Sequence, residues 1–186
     1  MKRAIDLLLA TTAIGTLAIP MGAVALAVKL TSKGPVLYWS VRVGKNNSHF
    51  KMPKFRTMRI DTPEVATHLL SDPSVYLTPI GSFLRKTSLD ELPQLWSILS
   101  GDMSFVGPRP ALHNQDDLIE LRTSEGVHTL VPGLTGWAQI NGRDEIPIPD
   151  KVALDAEYLE KKSTLLDAKI ILLTAAKVLG RSDVSH

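Results

Sequence analysis

The chain has 186 residues, a formal net charge of +2 and a hydrophobic fraction of 44%. This length fits one domain plus a membrane segment. The absence of cysteine excludes disulfides, thiolate zinc sites and a cysteine nucleophile, and an aromatic fraction of 5% beside an acidic C-terminal body predicts no nucleic-acid partner.

The small net charge hides an uneven distribution of charged residues. Residues 7–28 carry no charge, residues 29–59 carry eight cations and no acid, and residues 60–186 carry eleven cations against eighteen acids. A basic segment next to an apolar one suits the surface of an anionic membrane. A solvated basic loop is the alternative interpretation.

The first predicted element is an apolar helix over residues 7–28. About 22 residues at about 1.5 Å each reach about 33 Å, which is enough to cross a hydrocarbon core of about 30 Å. Three interpretations stay open: a re-entrant hairpin that returns to the same face, a single span and a cleaved signal peptide. The run is longer than the usual apolar region of a signal peptide.

Pro20 and the flanking charges favour the hairpin. Proline removes one helical hydrogen bond and kinks the helix. Lys2 and Arg3 flank one end and the basic segment flanks the other, so a hairpin keeps both cationic flanks on the cytoplasmic side. We therefore expect a re-entrant membrane helix, kinked at Pro20, over residues 1–30 and a compact cytoplasmic domain over residues 31–186.

The rest of the chain alternates short strands with helices. A strand over 36–44, a turn at 45–47 and a return strand over 49–58, interrupted by Pro53, predict a small β-hairpin. Helices are predicted at residues 61–70, 80–86, 115–123, 150–162 and 165–179. The fold class is therefore α+β and mainly α, and the last helix suits either the membrane interface or the core.

Two adjacent carboxylates, Asp90 and Glu91, open a further predicted helix that extends to residue 99. Ser88-x-x-Glu91 has the form of a capping box, whereas Pro93 favours an N-cap at Leu89 or Asp90, which keeps the proline in the first turn. Either start places both carboxylates at the positive end of the helix dipole. They either cap this helix only or serve as a nucleophile or metal ligand.

A single arginine, Arg109, lies between Pro108 and Pro110. Because proline has no N–H, this segment cannot form a phosphate nest of successive backbone amides. A guanidinium held in this way suits a pair of phosphate oxygens. A surface arginine in a turn is the alternative.

The block 132–143 is rich in glycine and in turn signals. Gly136 allows close approach of the backbone to a ligand, and Gln139, Asn141 and Arg143 offer polar groups. The pattern is neither a Walker loop nor a dinucleotide-binding GxGxxG motif.

Taken together, these motifs resemble the bacterial sugar transferase family, the monotopic phosphoglycosyl transferases. The resemblance covers nearly the whole chain and rests on several blocks in order: Lys2-Arg3-x-x-Asp6, Arg42-Val43-Gly44, Lys54-Phe55-Arg56-Thr57-Met58, Ser88-Leu89-Asp90-Glu91-Leu92-Pro93-Gln94-Leu95, Gly101-Asp102-Met103-Ser104-Phe105-Val106-Gly107-Pro108-Arg109-Pro110, residues 132–143 and Leu166-Asp167-x-Lys169.

The resemblance implies an enzyme that moves a sugar 1-phosphate from a UDP-sugar to undecaprenyl phosphate and releases UMP, the first membrane step of glycoconjugate assembly. It implies that Asp90 attacks the β-phosphate and becomes a phospho-aspartyl sugar, and that Glu91 completes the catalytic dyad. Mg²⁺ is the implied cofactor, with Asp90 as its ligand. A covalent aspartyl ester divides the reaction into two displacements, and a cation offsets the charge of the diphosphate.

The resemblance also implies roles for residues outside the dyad. Phosphate or substrate contacts are expected for Lys54, Arg56, Arg85, Arg109, Gly136, Gln139, Asn141, Arg143 and Asp167. Lys2, Arg3 and Pro20 are expected to set the membrane position, at the cytoplasmic face of the bacterial inner membrane with anionic lipids as partners. A homodimer is compatible with the sequence, the donor sugar is left open, and the chain is expected to be the minimal catalytic form.

Two other classes of protein compete with the enzyme. A non-catalytic membrane scaffold would use the basic segment and the amphipathic helices to recruit glycan-assembly enzymes. A secreted binding protein would arise if the apolar segment were cleaved as a signal peptide.

Overall fold

The computed structural model describes residues 1–63, 72–142 and 146–179. Its helices are α1 (Lys2–Thr31), α2 (Gly81–Lys86), α3 (Leu95–Ser100), α4 (Asp116–Ser124), α5 (Trp137–Asn141), α6 (Ile148–Lys161) and α7 (Thr164–Leu179). Its strands are β1 (Leu37–Val43), β2 (His49–Phe55), β3 (Ser104–Val106) and β4 (Gly133–Thr135). The predicted class, α+β and mainly α with a long apolar N-terminal helix and a small hairpin, is confirmed.

Helix α1 is continuous through Pro20 and is long and apolar enough to cross a membrane. Its outward side chains are exposed, among them Leu8 at 69%, Ile19 at 86% and Leu30 at 75%. The opposite face packs on the rest of the protein, where Ala10 and Val28 are fully buried. The kink at Pro20 and the re-entrant path stay predictions.

Both ends of α1 are bonded to the same folded body. At the N-terminal end, Asp6 accepts hydrogen bonds from the Ser104 hydroxyl at 2.9 Å and from the Phe105 amide at 3.1 Å. At the C-terminal end, the Arg56 guanidinium donates to the Ser32 hydroxyl at 2.8 Å and to the Pro35 carbonyl at 2.7 Å. The helix is therefore part of the tertiary structure and not a detached anchor.

Strands β1 and β2 form an antiparallel hairpin in which Leu37 pairs with Phe55 and Val43 with His49. Pro53 lies inside β2 and pairs with Trp39, because each strand of a two-stranded hairpin has a free edge where a missing amide does no harm. The return strand therefore runs through the proline and ends at Phe55, where residue 58 was predicted.

The core has a cluster at each end of α1 and further clusters under α4, α6 and α7. The buried members of the first cluster are Ala10, Met52, Leu95, Ile98 and Met103. Those of the second are Val28, Phe55 and Leu84. Those of the C-terminal clusters are Val106, Ile140, Tyr158, Ile170, Ala111, Leu118 and Val152. Helix α7 buries Ile170 but leaves Leu165 and Leu172 largely exposed, so it has both a core face and an outward apolar face.

The helix that carries Asp90 and Glu91 begins differently from the prediction. Residues Leu89–Gln94 form a 3₁₀ turn, and the α-helix starts only at Leu95. Ser88 has a φ of +56° and its side chain makes no capping bond, so the capping-box alternative is wrong. The 3₁₀ turn accommodates Pro93 because the regular α-helical ladder begins after it.

The glycine-rich block is partly regular structure. Strand β4 pairs in parallel with β3, and α5 follows it directly. The predicted turn at Asn141-Gly142 is the end of α5. The predicted helix over 61–70 falls largely on residues outside those described.

Strands β3 and β4 continue into a close contact between backbones. The Gly107 amide donates to the Thr135 carbonyl, and the Gly133 amide to the Pro108 carbonyl, both at 2.9 Å. A Cβ at Gly136 would lie 2.1 Å from the Gly107 carbonyl oxygen. This contact sets the position of the chain just before Arg109.

Gly136→Ala is expected to lower the free energy of unfolding by about 1–3 kcal/mol, because the added methyl overlaps backbone atoms that cannot move aside. The matched control is Gly22→Ala in α1, where a Cβ meets nothing within 4 Å and helix propensity gains about 0.5–1 kcal/mol. Denaturant unfolding in detergent micelles measures both. Equal stability of the two variants would contradict the packing argument.

Candidate active site

Two cationic side chains from separate parts of the chain bond to the same carboxylate oxygen of Glu91. Lys54 Nζ lies 2.7 Å from Glu91 Oε1, and Arg109 Nη2 lies 3.1 Å from the same oxygen. The side chains of Lys54 and Glu91 are 17% and 20% exposed, and that of Arg109 is 36% exposed. Partial burial reduces the screening of these charges by water, so the attraction within each pair is larger than at the surface, and the cost of desolvating the charges opposes it.

Each of these residues is placed by its local structure. Lys54 is the next-to-last residue of β2 and faces the 3₁₀ turn Leu89–Gln94, on which Glu91 lies. Arg109 lies three residues after the end of β3, and the prolines on both sides of it restrict its backbone. The guanidinium therefore reaches Glu91 from a constrained chain.

Asp90 precedes Glu91 and is buried, with 7% of its surface exposed. Burial raises the pKa of Asp90 to about 6, against the lowering effects of Lys54 and Arg85 and with a raising effect from Glu91. Around neutral pH this side chain is therefore mostly an ionised carboxylate with little hydration. Such a carboxylate is better suited to nucleophilic attack than a fully hydrated one.

Glu91 shows the opposite balance of burial and charge, whereas burial outweighs the charges at Lys54 as it does at Asp90. Burial alone would raise the pKa of Glu91, but Lys54 and Arg109 together hold it below its ordinary value. Burial lowers the pKa of Lys54, and the Glu91 carboxylate acts against that lowering. The two neighbouring carboxylates thus differ in their proton affinity, since among the described residues Glu91 is bonded directly to two cations and Asp90 to none.

Arg85 approaches the same site from α2. Its Nε donates to the Thr57 hydroxyl at 3.0 Å, and its charge interacts with Asp90. Burial lowers the pKa of Arg85, and Asp90 acts against that lowering. Five of the residues singled out in the sequence, namely Lys54, Arg85, Asp90, Glu91 and Arg109, therefore form one electrostatic cluster.

Four other predicted residues have protein partners away from this cluster. Arg56 binds the end of α1, as described above. Asp167 accepts from Lys2 at 2.6 Å and from the Tyr158 hydroxyl at 2.6 Å, and Arg3 donates to the carbonyls of residues 98 and 99. Lys2 and Arg3 thus tie the start of α1 to the protein; their membrane role and the substrate role of Asp167 stay predictions.

The remaining predicted residues belong to the block 132–143. Gly136 lies against Gly107, two residues before Arg109. The buried amide of Gln139 makes no hydrogen bond within the part of the chain that the structure describes, whereas Asn141 donates back to the carbonyl of Trp137 at 2.8 Å. Arg143 lies outside the described residues.

The structure adds two residues that the sequence argument did not find. Arg122 on α4 and Asp155 on α6 form a buried ion pair, with Nη2 2.6 Å and Nε 3.0 Å from Oδ2 of Asp155. Arg122 Nη1 also donates to the Arg109 carbonyl at 2.8 Å. A charged residue on the apolar stripe of a helix was the available signal: Asp155 lies three residues from both Val152 and Tyr158.

The cluster also fits a magnesium ion, although it lacks a complete ligand set of its own. No group of three or more His, Cys, Asp or Glu residues with metal-binding geometry occurs within residues 1–63, 72–142 and 146–179. Mg²⁺ is commonly held by one or two carboxylates together with substrate phosphates and water. Oε1 of Glu91 is bonded to Lys54 and Arg109, whereas Asp90 has no ion pair among the described residues.

Comparison with known proteins gives consistent matches. A family model described as bacterial sugar transferase matches residues 1–181. The UDP-glucose:undecaprenyl-phosphate glucose-1-phosphate transferase of Escherichia coli K12 is 44% identical over 95% of this chain and 40% of its own length. The undecaprenyl-phosphate glucose phosphotransferase of Komagataeibacter xylinus is 44% identical over 93% of this chain and 35% of its own length.

A third relative has a more similar length. The exopolysaccharide production protein ExoY of Sinorhizobium fredii is 36% identical over 95% of this chain and 84% of its own length. The chain thus spans 40% or less of the first two relatives and most of the third.

Asp90→Asn is expected to stabilise the fold above pH 6 and to have little effect below pH 4. Folding raises the pKa of Asp90 from 3.8 to about 6, so the stability cost of the ionised carboxylate is absent below the unfolded value, grows between the two values and is complete above the folded one. A shift of this size corresponds to about 3 kcal/mol. We expect Asp90→Asn to raise the free energy of unfolding above pH 6 by about 1–3 kcal/mol.

Unfolding midpoints measured between about pH 3 and pH 8 test this expectation, with the exposed Asp116→Asn as the matched control. A stabilisation by Asp90→Asn that is the same at every pH would show that the effect does not come from ionisation of the carboxylate.

Proposed function

The chain belongs to the bacterial sugar transferase family, and from this premise we propose that it transfers a sugar 1-phosphate from a UDP-sugar to undecaprenyl phosphate. The observation that carries the proposal is the buried Asp90 carboxylate beside a Glu91 bonded to Lys54 and Arg109. Relatives named for this reaction support the choice of donor and acceptor. The product would start the assembly of a lipid-linked glycan.

The proposed reaction has two displacements at one phosphorus atom. An Asp90 carboxylate oxygen attacks the β-phosphorus of the UDP-sugar, the bond from that phosphorus to the bridging oxygen breaks, and UMP leaves with the bonding electrons. Asp90 then carries the sugar phosphate as an acyl phosphate ester. A phosphate oxygen of undecaprenyl phosphate attacks the same phosphorus, which forms the lipid diphosphate and releases the carboxylate of Asp90.

The cations of the cluster have distinct roles in this scheme. Lys54 and Arg85 lower the pKa of Asp90 against the effect of burial and so keep it ionised at neutral pH. Arg109 offers a fork of N–H donors that fits two phosphate oxygens. Its pairing with Glu91 holds the guanidinium near Asp90 before the donor binds.

Mg²⁺ is the proposed cofactor, and Asp90 is the residue that would hold it beside the diphosphate of the donor. When bound, it would offset the negative charge that otherwise repels the attacking carboxylate. The Gln139 amide, whose polar atoms are buried without a hydrogen bond among the described residues, is the proposed contact to the nucleotide from the block 132–143.

A covalent intermediate also bears on where the protein lies. The water-soluble donor and the lipid acceptor need not bind at the same time, so a site at the membrane surface can serve both in turn. Because both ends of α1 are bonded to the same body, we propose that both ends stay on the cytoplasmic side. The exposed apolar face of α1 then enters the lipid from one side.

The activity test measures UMP release from a panel of UDP-hexoses and UDP-N-acetylhexosamines, with polyprenyl phosphate and Mg²⁺. Asp90→Asn is expected to lose about a thousandfold or more of the rate, since the amide cannot act as the nucleophile. Incubation with donor alone is expected to add the mass of one sugar phosphate to Asp90.

Asp116→Asn, an exposed carboxylate on α4, serves as the control and is expected to retain the full rate. Normal turnover by Asp90→Asn would refute the nucleophile. A folded wild type that releases no UMP from any of these donors would favour the non-catalytic scaffold.

The absence of cysteine gives a direct test of the membrane position. Single cysteines at Ala4, Ile19 and Lys33 are labelled with a membrane-impermeant maleimide in whole cells and in inverted membrane vesicles. Positions 4 and 33 are expected to react only in inverted vesicles, because both lie on the cytoplasmic side, and position 19 is expected to be protected by lipid. Reaction of positions 4 and 33 from opposite sides would show that α1 spans the membrane.

A further inference from the structure

The segment Pro108–Arg109–Pro110 is held by its carbonyl groups. The Gly133 amide donates to the Pro108 carbonyl at 2.9 Å, Arg122 donates to the Arg109 carbonyl at 2.8 Å, and Arg42 donates to the Pro110 carbonyl at 3.2 Å. Two of the three residues are prolines without an N–H. Donors from other parts of the chain therefore fix this segment.

The segment borders a small pocket of about 30 Å³, lined by Pro108, Pro110, Arg122 and His128 among others. The pocket is polar where Arg122 and His128 line it and apolar where the two prolines do. The hydrogen bonds to the three carbonyls thus hold the backbone at Arg109 from one side of this pocket.

Of the donors to this segment, Arg122 is paired with a buried carboxylate, that of Asp155. The residue is 8% exposed, and its partner Asp155 is 1% exposed. Asp155 binds Nε and Nη2 of the guanidinium, which leaves Nη1 directed at the Arg109 carbonyl. The rigid plane of the guanidinium makes these bonds depend on one another.

A buried ion pair is not by itself a good stabilising device. Removing two charges from water costs several kcal/mol per ion, and apolar residues of similar volume are often as stable or more so. Burial raises the pKa of Asp155 despite the adjacent arginine, which is consistent with that cost. A role beyond joining α4 to α6 would explain why an ion pair, and not apolar side chains, occupies this buried position.

We infer that Arg122 and Asp155 are positioning residues, which hold the Arg109 backbone so that its guanidinium reaches Glu91 and the phosphates of the donor. The part of this inference that concerns the donor phosphates rests on the proposed function. The part that concerns the position of Arg109 rests on the geometry alone. Neither Arg122 nor Asp155 contacts the reacting atoms in this scheme. Their effect passes through Arg109.

The test compares Arg122→Lys, Arg109→Met and the double variant. Lysine keeps the charge beside Asp155 but has no planar fork to hold Asp155 and the Arg109 carbonyl together. We expect Arg122→Lys to lower kcat/KM for the UDP-sugar about tenfold or more, the size of losing one charge-assisted hydrogen bond. In the double variant the loss is expected to stay within about twofold of Arg109→Met alone, because both changes remove the same contribution.

The control is Lys161→Met, which breaks the exposed pair between Lys161 and Glu157 on the same helix and is expected to retain kcat/KM. Wild-type kcat/KM in Arg122→Lys, or losses that multiply in the double variant, would overturn the inference. A purely structural role predicts multiplied losses, since damage to the fold would add to the loss of Arg109.

A second variant keeps the inference testable if Arg122→Lys does not fold. Arg122→Met combined with Asp155→Leu replaces the pair by apolar side chains, which buried sites often tolerate. It is expected to fold and to show the same loss of kcat/KM. A folded double variant with wild-type kcat/KM would overturn the inference as well.

Hydrogen exchange separates this inference from the proposed function. Peptides covering residues 105–115 are expected to exchange faster in Arg122→Lys than in wild type, while peptides from the β1–β2 hairpin are unchanged. If wild-type protein releases no UMP, the proposed function fails and the exchange result still decides the positioning of Arg109. Unchanged exchange at 105–115 would overturn the positioning inference alone.

Discussion

The site depends on one shared acceptor, the Glu91 carboxylate. Lys54 from the hairpin and Arg109 from the segment after β3 both bond to the same oxygen, so three distant parts of the chain converge there. Without that negative charge, two cations would lie together in a partly buried place at a large electrostatic cost. The pairing thus permits a concentration of positive charge beside Asp90 before any substrate arrives.

The two neighbouring acids differ in their proton affinity because their surroundings differ. Glu91 is bonded to cations and holds its proton weakly, whereas Asp90 is buried and holds its proton more strongly. Burial of an ionised group lowers the stability of the fold. The reaction that we propose would account for that loss at Asp90, because it uses a poorly hydrated carboxylate as the nucleophile.

The apolar helix α1 and the site are parts of one tertiary structure. Asp6, at the start of the helix, is bonded to Ser104 of β3, and the chain reaches Arg109 a few residues later. Glycines at 107, 133 and 136 allow the backbones after β3 and β4 to touch. The start of α1 is therefore joined by hydrogen bonds to the strand that leads to the arginine segment.

The sequence by itself determined the local features of this protein. The charge-free run, the hairpin and the helices near 81–86, 116–124, 148–161 and 164–179 follow from hydrophobic periodicity and from the turn residues between them. The ordered motifs also identified the residues of the cluster, since Asp90, Glu91 and Arg109 lie in distinctive local patterns. Such features depend on neighbours along the chain, which a sequence displays directly.

Tertiary structure alone decided how those residues are paired. The sequence did not indicate that Arg56 would bind the end of α1, that Lys2 would bind Asp167, or that Arg122 and Asp155 would hold the arginine segment. The 3₁₀ start before Leu95 and the parallel pairing of β3 with β4 were also not evident. Each depends on which polar groups become buried together, because a buried charge must find a partner wherever the packed chain provides one.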